Sequence, residues 1–264
     1  MTEHPLRAEV TFERPVGAAS HLRQTIRLDA GARRLEIHTV ADWHEAHRLL
    51  KAAFPLAVHA HEATYETAFG AARRPTHFST SHDLARFEVP GHRWADVSEH
   101  GFGVALLTDS KYGYSAHGDT LRVSLLRAPK QPDPEADMGR HEFAYALMPH
   151  TGGWQEAGVV REARAFNAPL RWAAAAPVSW AEVLDAGGLV LDTVKLAEDD
   201  DDTLVLRLYE AHGGRGRARV RLNVPFTTAR RANLLEDDLG PAPVDGDTIA
   251  VEYRPWEIVT VLVR

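Results

Sequence analysis

The chain has 264 residues, 44% apolar and 25% charged, a composition that suits a soluble globular protein of one or two domains with length enough to bury a core. Its net charge of −7, from 37 acidic and 30 basic side chains, disfavours a nucleic-acid partner, because neutralising phosphates needs a basic face. No cysteine is present, which excludes disulfides, thiolate metal sites and cysteine nucleophiles; no apolar run approaches the roughly 20 residues that span a bilayer, and the polar start from Met1 to Pro5 has no apolar leader, so the expected location is cytoplasmic.

Short runs of alternating apolar and polar residues dominate the chain. Leu22–Leu28 and Leu35–Val40 read as two strands joined by a turn at Asp29, Ala30 and Gly31. Further strands are predicted at Tyr65–Phe69, Ala85–Val89, Gly103–Leu107, Leu121–Leu126 and Phe143–Leu147, separated by turn chemistry such as Val89-Pro90-Gly91 and His117-Gly118-Asp119. One segment differs. Trp154, Ala157, Val160, Ala163 and Phe166 recur at helical spacing between Gly152-Gly153 and Asn167-Ala168-Pro169, which predicts one short helix. The alanine-rich stretch Arg171 to Val178 reads as a linker or covering segment. After it come Leu189–Leu196, Thr203–Tyr209, Ala218–Val224, Thr248–Tyr253 and Ile258–Val263, a density of strands that suits a small antiparallel sandwich. The acidic run Glu198 to Asp202 falls at a hairpin tip. A domain boundary is expected near Leu184, giving domains 1–184 and 185–264.

Several constellations invite a chemical reading. His44 and His47 stand three apart, which misses the i, i+4 spacing of a zinc-protease helix, and a polar turn or strand edge beside Trp43 is the expectation. His59 and His61 would share one face of a strand and hold a metal if a third ligand arrived; otherwise both imidazoles are hydrogen-bonded or solvated. Asp133, Glu135 and Asp137 alternate along a proline-stiffened loop, as a hard-cation site or as a solvated loop. The glycine-rich His212–Gly216 lacks the Gly-Lys-Ser/Thr ending of a phosphate loop and reads as a hairpin. The six tryptophans are scattered, as core or interface residues are. Asp109, Ser110, Lys111, Tyr112, Gly113 and Tyr114 gather an acid, a base and two phenols after a strand end. Such a loop has the hydrogen-bonding groups and ring faces that sugar recognition uses, and is otherwise structural.

Longer motifs carry a resemblance. Asp42-Trp43-His44-Glu45, Leu49–Pro55, Arg74-Pro75-Thr76-His77, Phe87-Glu88-Val89-Pro90 and His92–Asp96 all resemble family 38 glycoside hydrolases, the α-mannosidases. So do Gly103–Leu107, Asp109–Gly113, Leu121–Arg127, Pro132–Asp137, His141-Glu142-Phe143, Glu156–Ala163, Leu206–Ala211 and Arg254–Ile258. The resemblance covers nearly the whole chain and implies a mainly all-β fold. The expected architecture is a galactose-mutarotase-like antiparallel β-supersandwich, lacking its opening strands, followed by a small β-sandwich. His82 stands where the family pattern leads one to expect a tryptophan.

The resemblance also implies what these residues do not contain. Family members carry zinc and an aspartate nucleophile on an N-terminal barrel, and retain anomeric configuration through a covalent intermediate. No residue here inherits those roles, so no catalytic residue or metal ligand is assigned, no cofactor is expected in this chain, and zinc is expected only in the barrel. The implied partners are a mannoside and a barrel, on the same or a separate chain. Self-association through exposed sheet edges and apolar surface also fits. A loop reaches the sugar pocket in this family, and the matching segment assigns substrate contact to Asp109, Lys111, Tyr112 and Tyr114. The Asp133–Asp137 loop then takes a structural or interdomain role. The alternatives are a stand-alone carbohydrate-binding module and a metal-dependent sugar-modifying enzyme using His59 and His61.

Overall fold

The computed structural model describes residues 2–170 and 179–264. The chain divides into two compact units, Met1–Thr67 with Ala72–Pro169, and Ala68–Ala71 with Leu170–Arg264. Arg171–Val178 and Trp172 lie outside the described residues.

The elements in the first part of the chain are β1 (Thr2–His4), β2 (Arg7–Val16), β3 (Ser20–Asp29), β4 (Leu35–Trp43), β5 (Leu50–Pro55), β6 (Glu62–Thr67), β7 (Gly70–Pro75), α1 (Ser81–Ala85), β8 (Val89–Pro90), β9 (Trp94–Glu99), β10 (Phe102–Thr108), β11 (Gly113–His117), β12 (Thr120–Leu126), β13 (Gly139–Thr151), α2 (Trp154–Ala157) and α3 (Val159–Asn167). A nine-stranded sheet, in the order β1-β2-β3-β4-β13-β10-β9-β6-β7, faces a four-stranded sheet, β5-β12-β11-β8. Leu22, Ile37, Tyr65, Val97, Leu106, Phe143 and Tyr145 of the large sheet pack with Tyr114, Leu121 and Val123 of the small one, each sheet turning its apolar residues inward.

The centre of the large sheet is buried on its other face as well. Trp94, Ala105, Leu107, Ala146 and Met148 point away from the small sheet and are sealed, with α2 and α3 packed on β13, β10 and β9. The predicted single helix is two, because Gly158 takes the left-handed conformation (φ +71°) that ends α2 and opens α3. A third helix, α1, replaces part of the strand expected at Ala85–Val89. The Thr80 hydroxyl accepts the Asp83 N–H and the Asp83 carboxylate accepts the Thr80 N–H, a capping box that outweighs the apolar alternation. Tyr65–Phe69 is strand only to Thr67; Phe69 sits at the turn with φ +56°.

The later elements are β14 (Ala181–Leu184), β15 (Leu189–Leu196), β16 (Leu204–Glu210), β17 (Gly216–Leu222), β18 (Ala229–Ala232), β19 (Asp238–Pro241), β20 (Val244–Asp245), β21 (Thr248–Tyr253) and β22 (Ile258–Val263). They form a four-stranded sheet, β14-β17-β21-β20, against a five-stranded one, β15-β16-β22-β18-β19, around Leu206, Leu208, Val220, Ile249, Val251, Val259 and Val261. β14 lies on the near side of the boundary expected at Leu184, yet it hydrogen-bonds to β17, and the compact unit begins at Leu170. Among the described residues no helix is long and apolar enough to cross a membrane.

Candidate functional site

The four loop residues singled out from sequence have different surroundings. β10 ends at Thr108, and Asp109 turns the chain by exchanging bonds with β13. Its carboxylate accepts the Ala144 N–H at 2.7 Å, and its own N–H donates to the Ala144 carbonyl at 3.2 Å. Asp109 is therefore the anchor of the loop. Lys111 is half-buried, with its ammonium 4.3 Å from the centre of the Phe143 ring, a cation–π contact. Burial lowers its pKa from the usual lysine value, and Asp109 and Asp137 pull the other way. Tyr112 is 60% exposed, its ring edge-on to His92, while its carbonyl accepts the Gly91 N–H.

Tyr114 corrects the sequence assignment. It lies on β11 with its ring fully buried beside Tyr65, and its hydroxyl donates to the His92 carbonyl at 2.8 Å. Burial raises its pKa above that of a free tyrosine, and no face remains for a sugar. The cause is the strand's own period: Gly113, Tyr114 and Ser115 continue in β11, and Tyr114 falls on the inward face.

Next to this loop lies a groove of about 990 Å³ that the sequence reading did not single out. Its lining includes His47, Arg48, Leu49, Phe87, Glu88, Arg127, Lys130 and Asp137. Sheet order brings these residues together: the β4–β5 connection meets the β12–β13 loop where the His47 N–H donates to the Ala128 carbonyl. Phe87 is 67% exposed at the rim, and Glu88 is held by Lys51 at 3.2 Å and by the Ser124 hydroxyl. Exposed ring, guanidinium and carboxylate in one concavity are the groups that bind a sugar. All lie inside or beside motifs quoted for the resemblance, but spacing alone does not converge them.

The acidic loop is organised by its own backbone. Asp137 accepts the Arg127 and Ala128 N–H groups, both at 2.9 Å, and Asp133 accepts the Glu135 N–H. Those two backbone bonds lower the Asp137 pKa from the ordinary aspartate value. A depressed carboxylate contributes stability that is present above the unfolded pKa of about 3.9 and is lost as pH falls through the folded value. Asp137→Ala is therefore expected to raise the rate of proteolytic cleavage within residues 128–137 at neutral pH to the level the unaltered chain reaches only in acid. Equal cleavage of both proteins at neutral pH would remove this role.

His59 and His61 lie in the β5–β6 connection, not on a strand, with ring centres 5.4 Å apart. Among the described residues no group of three or more His, Asp or Glu side chains is arranged to hold a metal ion. These described residues do not fit the zinc that the resemblance implies for the barrel. His44 bonds Asp42 at 2.9 Å, as expected of a polar turn. Sequence reading also missed a buried pair: His150 Nε2 and Asp96 Oδ2 are 2.7 Å apart, with Ser98 donating to the second Asp96 oxygen. Gly103 is required there, because a Cβ would meet the His150 ring at 2.5 Å. Sealed beneath α2 and α3, this pair is structural.

Comparison with known proteins places this geometry. Residues 1–135 match the glycosyl hydrolases family 38 C-terminal domain, and residues 188–261 match the family 38 C-terminal beta sandwich domain. The chain is 46% identical to alpha-mannosidase 2C1 of Homo sapiens over 99% of its length and 26% of that protein. It is 36% identical to an alpha-mannosidase of Saccharomyces cerevisiae over 90% of its length and 24% of that protein. It therefore spans about a quarter of the length of the curated relatives it matches. Among solved structures, an alpha-mannosidase from Enterococcus faecalis V583 matches with a TM-score of 0.78 and 18% identity, over 93% of this chain and 29% of that one. At that identity the likeness is one of fold. Both sandwiches match family 38, one across more than half of the sequence, and the chain belongs to the C-terminal region of glycosyl hydrolase family 38.

Proposed function

We propose that this chain is the non-barrel, C-terminal part of a retaining α-mannosidase, that it supports a catalytic barrel and lends a loop to the substrate pocket, and that it hydrolyses nothing alone. In this reading the nucleophile and the zinc belong to the barrel, and the carboxyl pair of a retaining glycosidase is not drawn from these 264 residues. The observation that carries the proposal is the solvent-facing end of the β10–β11 loop. Asp109 ties the loop to β13, Lys111 is held over Phe143, and the Tyr112 ring is left exposed. A rigidly mounted phenol and amine can stack on a sugar ring and donate to its hydroxyls without first paying for loop ordering.

A second feature fits a docked domain. On β2 and β3 the inward face of the large sheet continues through Val10, Phe12 and Leu28, all exposed, past the edge of the four-stranded sheet. Contiguous apolar surface of this sort marks an interaction face.

The test is hydrolysis of a chromogenic α-mannoside with zinc present, by the chain alone and mixed with a separately expressed family 38 barrel from the same source. Activity in the mixture only is the expected result. Activity of the chain alone would overturn the proposal, and silence in both with glycan binding by the chain would favour a carbohydrate-binding module. In the active mixture, Lys111→Ala and Tyr112→Ala are each expected to lower kcat/KM by about tenfold, the loss of roughly 1.4 kcal/mol of contact. Unchanged kinetics in both would take the loop out of the pocket.

A further inference from the structure

The second unit carries a basic groove in a chain whose net charge is −7. The groove measures about 1000 Å³ and is lined by Arg215, Arg217, Arg231 and Arg254, with Glu252 and Glu257 as its carboxylates. Arg231 and Glu257 are committed to each other at 3.0 Å, and Arg231 also donates to the Glu252 carbonyl. Arg215, Arg217 and Arg254 are exposed, and among the described residues their guanidiniums have no hydrogen-bond or ion-pair partner. Three unpaired guanidiniums around one concavity form a site for carboxylates, which they bind by charge-assisted and often bidentate hydrogen bonds.

The same unit presents the complementary group. The β15–β16 hairpin tip is five consecutive acids, Glu198 to Asp202. Glu198 pairs with Lys195 at 2.7 Å, and Asp200 accepts from Thr203 and lies 3.6 Å from Arg264. Asp199, Asp201 and Asp202 are exposed, with no cation paired to them among the described residues.

The tip points away from the Arg254 and Glu257 border of the groove on its own chain. It leads into Leu204, which pairs with Val263, whereas the groove borders Glu257, whose carbonyl accepts the Glu210 N–H at the far end of β16. The tip and the Glu257 border of the groove thus stand at opposite ends of the β16–β22 ladder, separated by about 20 Å at roughly 3.3 Å per residue. We propose that the acidic tip of one copy docks in the arginine groove of a second copy. Two copies exchange the contact reciprocally about a two-fold axis, or it repeats head-to-tail into a larger ring or an open chain.

The test is the mass of the full 264-residue chain by light scattering or sedimentation across a concentration series, at about 0.1 M and about 1 M salt, where the Debye length falls from roughly 10 Å to 3 Å. The expected mass exceeds the 29.2 kDa of one copy at the lower salt and returns to it at the higher. The groove reversal R215E/R217E/R254E and the tip reversal D199K/D201K/D202K, all at exposed positions, are each expected to stay single. Mixed together they are expected to associate again, because each then offers the charge the other needs. A single copy at every concentration would overturn the proposal, as would binding of inorganic phosphate in the groove of a chain that stays single. Association that strengthens at high salt, or survives the groove reversal, would overturn it too and assign the contact to the apolar stripe on β2 and β3.

Discussion

Trp94→Ala is expected to destabilise the first unit by about 3–5 kcal/mol, the range for deleting a large buried aromatic. The Trp94 ring is fully buried on the helix-facing side of β9, 4.9 Å from the ring of Trp154 at an angle of 37°. It links two layers, because Trp154 opens α2 while Trp94 belongs to the sheet beneath. The cavity would lie between sheet and helix, where the packed backbone of β9 and β10 cannot collapse to fill it. Hydrogen exchange of the β9 and β10 backbone amides across a urea series should show the lower midpoint, and Trp94→Phe, which keeps a ring, should recover more than half of the loss. A stability within about 0.5 kcal/mol of the unaltered chain would show that α2 and α3 do not stabilise the sheet. Since the chain has two units, the transition must be followed with a probe confined to the first one.

Glu210→Ala is expected to cost the second unit about 3 kcal/mol or more, and to do so without making a large cavity. The Glu210 side chain is fully buried, and its carboxylate accepts three backbone N–H groups, from His212 at 2.9 Å, Gly213 at 2.8 Å and Trp256 at 3.0 Å. Removal takes their shared acceptor from these part-buried donors, and a donor left without an acceptor away from water costs about 1–3 kcal/mol. One carboxylate therefore closes two turns, the one leading from β16 toward β17 and the one between β21 and β22, where Trp256 is held at φ +60°. Glu210→Gln keeps a single acceptor oxygen and turns a donor toward the same N–H groups, so it is expected to recover little. Hydrogen exchange at His212, Gly213 and Trp256 should accelerate in both variants ahead of global unfolding. Unchanged exchange at all three would separate Glu210 from the turns.

The first expectation bears on the proposed function through rigidity. The β10–β11 loop can present Lys111 and Tyr112 only while β10, β9 and β13 hold their register, and the α2–α3 layer that Trp94 supports lies directly on those strands. Asn167 at the end of α3 donates to the Thr108 carbonyl, which fastens the last residue of β10 to the helix layer as well.

How far the sequence reaches can be judged from particular elements. Leu22–Leu28 and Leu35–Val40 were legible as strands because each buries one face, so polar and apolar residues alternate. β9 was not, since Trp94 and Asp96 are buried against the helix layer and Ala95 and Val97 against the small sheet, and alternation vanishes when both faces are covered. Ala85–Val89 alternates well and still is not a strand along its length, because a local capping box at Thr80 and Asp83 closes a helical turn first. The family was legible throughout, in motifs long enough to need no fold. The β10–β11 loop was legible as a segment and not residue by residue: Asp109 is spent on β13 and Tyr114 on the core, which leaves Lys111 and Tyr112 for the proposed sugar contact.

By itself the sequence determined the all-β class, the hairpins that bury one face, the acidic tip and the membership of family 38. These depend on period, turn chemistry and local motif, which act between residues close in the chain. The tertiary structure alone decided that β13 lies between β4 and β10, that the β4–β5, β10–β11 and β12–β13 loops share one end, and that Phe87, Glu88 and Arg127 line a single groove. It also decided that Glu257, beside the arginine groove, and the Glu198–Asp202 tip stand at opposite ends of the β16–β22 ladder. Such juxtapositions follow from strand order, which is set by the shared burial of apolar faces between segments far apart in the chain, and no spacing along the sequence records it.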